Sequence, residues 1–280
     1  MWDKVIYISI SAVLLYFFKD RFLNIVKYIN FQYKFLLFYL WTLFLNTVTI
    51  PLFALRPKDV RNAVIIANGM KQVTRIIGIK WNLRNGEALS ADRGAVIVAN
   101  HQSTIDILGI SNIWHVIKKC AIVSKKEMMY MFTAGLSMYL IGSIFIDRKN
   151  PKNAFKELET KADVMLKNKT KIWIFPEGTR NYDLTKLLPF KKGAFAVAVS
   201  SQVPIIPLVF SPYYFINNKR QIFNKGHVIV QCLEPVPTEG LTMDDVPDLI
   251  ERVHGIMERT YKELLNEVKS TLPPNYPIAM

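Results

Sequence analysis

A chain of 280 residues with 51% hydrophobic composition has room for one large folded domain and an appended segment. Its 36 lysines and arginines against 22 aspartates and glutamates leave a net charge of +14, which favours an anionic partner: nucleic acid, a phosphorylated substrate or the negative face of a membrane. The two cysteines, Cys120 and Cys232, exclude a disulfide framework and a thiolate metal cluster, and they suit a reducing cytosol.

Hydropathy chooses among those partners at the start of the chain. Residues 5–18 are a 14-residue uncharged run and residues 35–55 a 21-residue one. Only the second is long enough to cross a bilayer straight, although a buried core helix has the same signature. The first ends in Tyr16-Phe17-Phe18-Lys19 with no small-residue cleavage pattern, so a retained segment is expected and not a cleaved signal peptide. Lys19, Arg21, Lys27 and Lys34 lie between the runs against Asp20, and Arg56, Lys58 and Arg61 follow the second. Basic loops resist translocation. The expected arrangement is therefore a membrane-embedded two-helix hairpin that dips in from the cytosolic side, with residues 1–60 as anchor and 61–280 as the folded domain. A lipid bilayer is the expected partner; nucleic acid is not.

Beyond the anchor, short apolar runs alternate with helical patterns, the signature of βα units around a mostly parallel sheet flanked by helices, an α/β fold. Predicted strands cover 95–99, 121–123, 143–146, 171–175, 205–210 and 227–233. The first is followed at once by Asn100-His101-Gln102-Ser103-Thr104-Ile105-Asp106, which places His101 at a strand's carboxyl end. Residues five apart on a continuous helix point about 140° apart, so His101 and Asp106 meet only across a break. Ser103 supplies one as a candidate N-cap, with Asp106 in a capping-box position and a helix running to Ile113 or beyond. Spacing alone leaves two readings open. Asp106 orients His101 as a general base, or Asp106 caps a helix and His101 is a turn residue.

Residues 128–146 form a third uncharged stretch, 19 residues long, holding Gly135, Gly142, Ser137 and Ser143. A helix on or partly in the membrane, followed by a strand, is expected there in preference to a span. Residues 151–167 carry Phe155, Leu158, Ala162, Met165 and Leu166 on one stripe, with Asn150 as cap. The sequon Asn168-Lys169-Thr170 is read as unmodified, as on a cytosolic domain. After the strand at 171–175, Pro176 stops the ladder, Gly178 lets the backbone turn, and Arg180 is presented at the same end of the sheet as His101, where ligands of open α/β sheets sit. A guanidinium there suits a phosphate; a surface turn closed by a Glu177–Arg180 ion pair is the alternative. Arg148 is a candidate second phosphate ligand, while Lys125, Lys126, Lys191 and Lys192 serve equally well as solvated or lipid-facing charges.

Pro204 belongs at a strand's first position or on an edge. Helices are predicted at 191–200 and 244–268. His115, His227 and His254 form no ligand cluster, and neither a Gly-rich phosphate loop nor a Gly-x-Ser-x-Gly elbow is present. That removes kinase, dehydrogenase and serine-lipase readings, and no metal is expected.

Four ordered blocks now bear on the open choices. Asn100 to Asp106 resembles the His-x4-Asp block of the glycerolipid acyltransferase family, and Gly142-Ser-Ile-Phe-Ile-Asp-Arg148 its second block. Glu177-Gly178-Thr179-Arg180 is similar to its third and Val203-Pro-Ile-Ile-Pro207 to its fourth. With Leu188-Pro-Phe-Lys-Lys-Gly-Ala-Phe195 and Pro235-Val-Pro-Thr-Glu-Gly240, the chain most resembles the eukaryotic 1-acyl-sn-glycerol-3-phosphate acyltransferases, over about residues 94–209. The resemblance implies transfer of a fatty acyl group from acyl-CoA, a co-substrate, to the sn-2 hydroxyl of lysophosphatidic acid, with no other cofactor. It implies His101 as general base oriented by Asp106. It also implies Glu177, Gly178, Thr179 and Arg180 as the substrate loop, with Arg148 and Lys192 helping to hold the phosphate, and an endoplasmic reticulum membrane location with the catalytic domain facing the cytosol.

Overall fold

The computed structural model describes residues 2–149, 151–272 and 276. Helices are α1 (Trp2–Ala54), α2 (Ala63–Ile77), α3 (Glu87–Ser90), α4 (Asp106–Ile117), α5 (Phe132–Leu140), α6 (Pro151–Lys167), α7 (Gly193–Ser200) and α8 (Val246–Ser270). Strands are β1 (Ile79–Arg84), β2 (Val96–Ala99), β3 (Cys120–Lys125), β4 (Ile144–Ile146), β5 (Lys171–Ile174), β6 (Ile205–Phe210), β7 (Ile216–Asn217), β8 (Ile222–Phe223) and β9 (Gly226–Cys232).

A strand with no polar side chain belongs inside a sheet covered on both faces. β2, Val-Ile-Val-Ala, is buried at every position and is the central strand of the order β1-β9-β6-β2-β5-β3-β4. β6, β2, β5, β3 and β4 run parallel; β9 is antiparallel to β6 and carries β1 parallel to itself. Val98 pairs with Ile174 and Ala99 with Leu208, so the carboxyl ends of β2, β5 and β6 lie side by side at one end of the sheet, with β6 running two residues further. Trp173, Phe195, Phe210 and Tyr261 are fully buried between the sheet and its helices. This is the expected mostly parallel sheet flanked by helices.

The expected N-terminal hairpin is replaced by a single helix. Residues 19–34 contain neither glycine nor proline, and charge alone does not break a helix, so both apolar runs lie on α1. Among the described residues, Arg21–Ala54 is long and apolar enough to cross a membrane. One side of that stretch is docked on the domain. Phe31, Phe38 and Phe53 are buried, Trp41 Nε1–H donates to the Gly69 carbonyl at 2.9 Å, and Asn30 Nδ2–H donates to the Phe223 carbonyl at 2.8 Å. Gly69 permits the close approach, because a Cβ there would lie 2.7 Å from both δ-methyls of Leu45.

α2, β1 and the β7–β8 hairpin were not among the expected elements. β1 shows the period-2 pattern Ile79, Trp81, Leu83 against Lys80, Asn82, Arg84, the mark of a strand near a sheet edge. Residues 128–146 form a 3-10 turn, the short α5 and β4, and not a span. Pro204 sits just before β6 as expected, but β6 is interior and not an edge. Val96 N–H donates to the Pro204 carbonyl at 3.0 Å and Leu233 N–H to the Pro207 carbonyl at 2.9 Å, so both prolines enter the ladder as acceptors. The cap expected at Asn150 lies outside the described residues.

Candidate active site

β2 ends at Ala99, and Asn100 extends its pairing with side-chain atoms. The Asn100 amide donates to the Phe210 carbonyl at 3.1 Å and accepts from Phe210 N–H at 2.8 Å. This fixes the chain as it leaves the sheet. Gln102, also buried, donates to the carbonyl of Ser211 at 3.0 Å and accepts from Tyr213 N–H at 3.2 Å. His101, between them, points the other way and keeps 22% of its side chain exposed.

The helix expected from Ser103 begins at Asp106, and the organising group is the Asp106 carboxylate. It accepts from Gln102 N–H at 2.8 Å and Ser103 N–H at 3.1 Å, and its Oδ2 lies 2.6 Å from His101 Nδ1. The Ser103 hydroxyl is a weaker partner, 3.4 Å from Ile105 N. One carboxylate therefore does both structural jobs that the spacing suggested: it ties the amides at the head of the helix and holds the ring. A carboxylate only accepts, so Nδ1 carries the hydrogen and Nε2 keeps its lone pair. Asp106 is 1% exposed, and the buried Tyr213 hydroxyl faces it. Burial first, then that carboxylate, raise the Tyr213 pKa well above the usual phenol value.

β5 delivers the second half of the site. The Phe175 ring stacks on the His101 imidazole, centroids 4.1 Å apart and planes 16° from parallel. Pro176 and Glu177 form a turn closed by Gly178 N–H donating to the Phe175 carbonyl at 3.1 Å. The Glu177 carboxylate is buried and accepts from His101 N–H at 2.8 Å and Leu188 N–H at 3.1 Å, while Asn181 N–H donates to the His101 carbonyl at 2.7 Å. The main chain of His101 is thus held on both sides by the loop after β5. Burial pushes the Glu177 pKa up, and the two amide bonds oppose that rise.

The alternative of an ion pair between Glu177 and Arg180 is not what forms: Glu177 is buried, and Arg180 is exposed with no carboxylate partner among the described residues. Arg180 instead lines a groove of about 320 Å³ whose walls include Ser103 and Thr104 on one side and Phe31, Phe35 and Tyr39 of α1 on the other. Thr179 is exposed beside it. Gly178 turns at φ +71°, and a Cβ there would meet the Lys191 ammonium end at 2.8 Å. Arg148, following β4, donates to the Gly178 carbonyl, so it braces the loop. Lys192 is exposed at the residue before α7, and Lys191, not Lys192, is the lysine that reaches Gly178.

Sequence reasoning missed Asn100, Gln102, Phe175, Asn181 and Tyr213. The first three adjoin the motifs and carry polar or aromatic side chains at strand ends, a visible signal. Asn181 and Tyr213 act across the fold and leave no local trace.

The acyltransferase family model matches residues 80–211, which contain every group just described except Tyr213 and the α1 wall. The chain is 39% identical to human 1-acyl-sn-glycerol-3-phosphate acyltransferase alpha over 80% of its length and 78% of that protein. It is 40% identical to the human beta form over 73% of each. The crystal structure of the 1-acyl-sn-glycerophosphate acyltransferase PlsC from Thermotoga maritima superposes with a TM-score of 0.62 at 25% identity, covering 85% of this chain and 97% of that one.

Proposed function

The chain belongs to the family of 1-acyl-sn-glycerol-3-phosphate acyltransferases, and from that premise we propose that it moves a fatty acyl group from acyl-CoA to the sn-2 hydroxyl of lysophosphatidic acid, with His101 as general base. The observation that carries this reading is the 2.6 Å contact of Asp106 with His101 Nδ1, which leaves Nε2 basic at the carboxyl end of the sheet. In the reaction Nε2 takes the proton of the acceptor hydroxyl as its oxygen forms a bond to the thioester carbon. The C–S bond then breaks, and the departing thiolate receives the proton. No acyl-enzyme is needed. A thioester leaves easily, so the protein supplies positioning and proton removal, the latter worth roughly 10²–10⁴-fold.

Arg180 is the phosphate ligand in this reading, because it is an exposed guanidinium with no carboxylate partner among the described residues, in a groove with an apolar wall. Arg148, which reaches that loop from the end of β4, and Lys192, just before α7, add positive charge, and Glu177, Gly178 and Thr179 shape the loop. The chain associates with a bilayer through α1; the endoplasmic reticulum membrane, with the site facing the cytosol, suits the basic flanks of the apolar stretch and the two buried free cysteines.

The test is an assay of purified protein with acyl-CoA and a panel of lysolipids, reading products by mass. Phosphatidic acid from lysophosphatidic acid, with little product from lysophosphatidylcholine, is expected. Undiminished turnover by His101→Ala would remove the proposed chemistry.

A further inference from the structure

Three consecutive apolar side chains are uncovered where the 3-10 turn after β3 enters α5: Tyr130 is 74% exposed, Met131 49% and Phe132 91%. Phe132 has φ +40°, a region that residues with a side chain rarely adopt, so the backbone is strained where the ring is held outward. A water-facing turn between a strand and a helix ordinarily carries polar residues, and such a cluster on a folded surface marks a binding face.

What covers it follows from its neighbours. α5 packs on α1, where Thr47 and Thr133 hydroxyls meet at 3.1 Å. The side of α1 turned away from the domain is apolar and exposed at Leu40, Leu43, Phe44 and Val48, and between Lys34 and Arg56 the helix carries no charge. The two apolar surfaces therefore flank the Thr47–Thr133 contact. Cations border them: Lys58 Nζ lies 4.9 Å over the Tyr139 ring, and Lys125 is exposed where β3 turns toward α5. An apolar face with a basic rim is complementary to a leaflet of anionic lipid.

We propose that Tyr130, Met131 and Phe132 form a second lipid-inserting element, which sinks into the same anionic leaflet met by the outward side of α1 and brings Lys58 and Lys125 to the headgroup phosphates. This rests on the membrane association proposed above. The element leaves the carboxyl end of β3, the end of the sheet from which His101 and Glu177 also emerge, so its insertion holds that end at the lipid surface.

The experiment places an environment-sensitive NBD fluorophore on Phe132→Cys in the full chain and adds vesicles of phosphatidylcholine and phosphatidylglycerol. Cys120 and Cys232 are buried with thiol pKa values pushed up to about 12, so the introduced thiol takes the label. Lys161→Cys on α6 is the control. Expected are a blue shift at position 132 with quenching by nitroxide lipids, no change at 161, and a vesicle partition about tenfold weaker for Phe132→Ser. Protein that floats with the vesicles while the probe at 132 is unquenched overturns the insertion and leaves anchoring by α1 intact. Protein that does not float overturns both. A blue shift without vesicles, in a particle of twice the chain's mass, means that a second copy covers the face and likewise overturns the proposal.

Discussion

The backbone amide of His101 donates to Glu177 Oε1 at 2.8 Å, so the two sequence blocks that flank the site are joined through a buried carboxylate and a main-chain N–H. The second oxygen of Glu177 holds Leu188, eleven residues further along, at 3.1 Å. One side chain therefore fixes where the imidazole starts and how the loop bearing Arg180 returns to the domain.

Glu177→Gln tests that arrangement. Glutamine keeps one acceptor oxygen, so either the His101 or the Leu188 amide is left facing an NH2 group. An unmet buried donor costs about 1–3 kcal/mol, and that loss is expected in denaturant unfolding together with a fall of at least about tenfold in kcat as His101 loses its register. A variant as stable and as active as the parent would show that the loop needs no such tie.

The same residue gives a pH signature. In the unfolded chain Glu177 titrates near the usual 4.5, and burial raises it in the native state. Between the two values the native state binds more protons. The stability contribution is therefore full below 4.5 and is lost as pH rises through the native pKa. The difference in melting temperature between the parent and Glu177→Gln should grow toward acid over that window. Other carboxylates, such as Asp59 and Glu267, whose pKa values are lowered by arginine partners, cancel in the comparison.

Asp106→Asn preserves shape but replaces the acceptor of the Nδ1 hydrogen by an amide that also presents donors. The favoured tautomer then places the hydrogen on Nε2, where the lone pair is needed. A loss of about 10²–10⁴ in kcat with little change in KM is expected, as for orienting carboxylates elsewhere. Equal losses in kcat for Asp106→Asn and Asp106→Ala would point to tautomer control; a much larger defect in the alanine variant would assign the residue to folding the turn.

Phe175→Leu removes the ring stacked at 4.1 Å on the imidazole while keeping an apolar side chain at the end of β5. The stack limits rotation of His101 about the bond that Asp106 already restrains, so a modest defect of about tenfold in kcat is expected, with unfolding midpoint little changed. Loss of stability without loss of turnover would make the ring a packing residue only.

Legibility in the sequence followed locality. The strand at 205–210 and the helix at 151–167 were readable to the residue, because apolar runs and stripes are set by their own neighbours. His101 and Asp106 were readable as a pair because five residues and one break suffice to join them. The hairpin expected within residues 1–60 failed because charge was taken as a turn signal where no residue stops a helix. Glu177 was readable as a loop residue but not as the partner of His101, 76 positions away, since that contact exists only once β2 and β5 lie side by side. Arg148 was readable as a cation beside the site, but its bond to the Gly178 carbonyl, 30 positions away, was not, since only the folded loop presents that carbonyl to it.

Arg180 and Arg148 therefore make separable predictions. Arg180→Ala removes an exposed guanidinium from the groove without breaking an internal bond, so its effect should depend on the acceptor. KM for lysophosphatidic acid rises, by about ten- to a hundredfold if a charge-assisted contact worth about 1.5–3 kcal/mol is lost, while an acceptor lacking a phosphomonoester is little affected. Arg148→Ala releases the Gly178 carbonyl and loosens the loop for every acceptor, so kcat/KM should fall for both kinds alike. Kinetics of the two variants on matched acceptors decide the matter. A phosphate-selective defect in Arg148→Ala, equal to that of Arg180→Ala, would instead make both arginines direct ligands, with the Gly178 contact given up when the substrate binds.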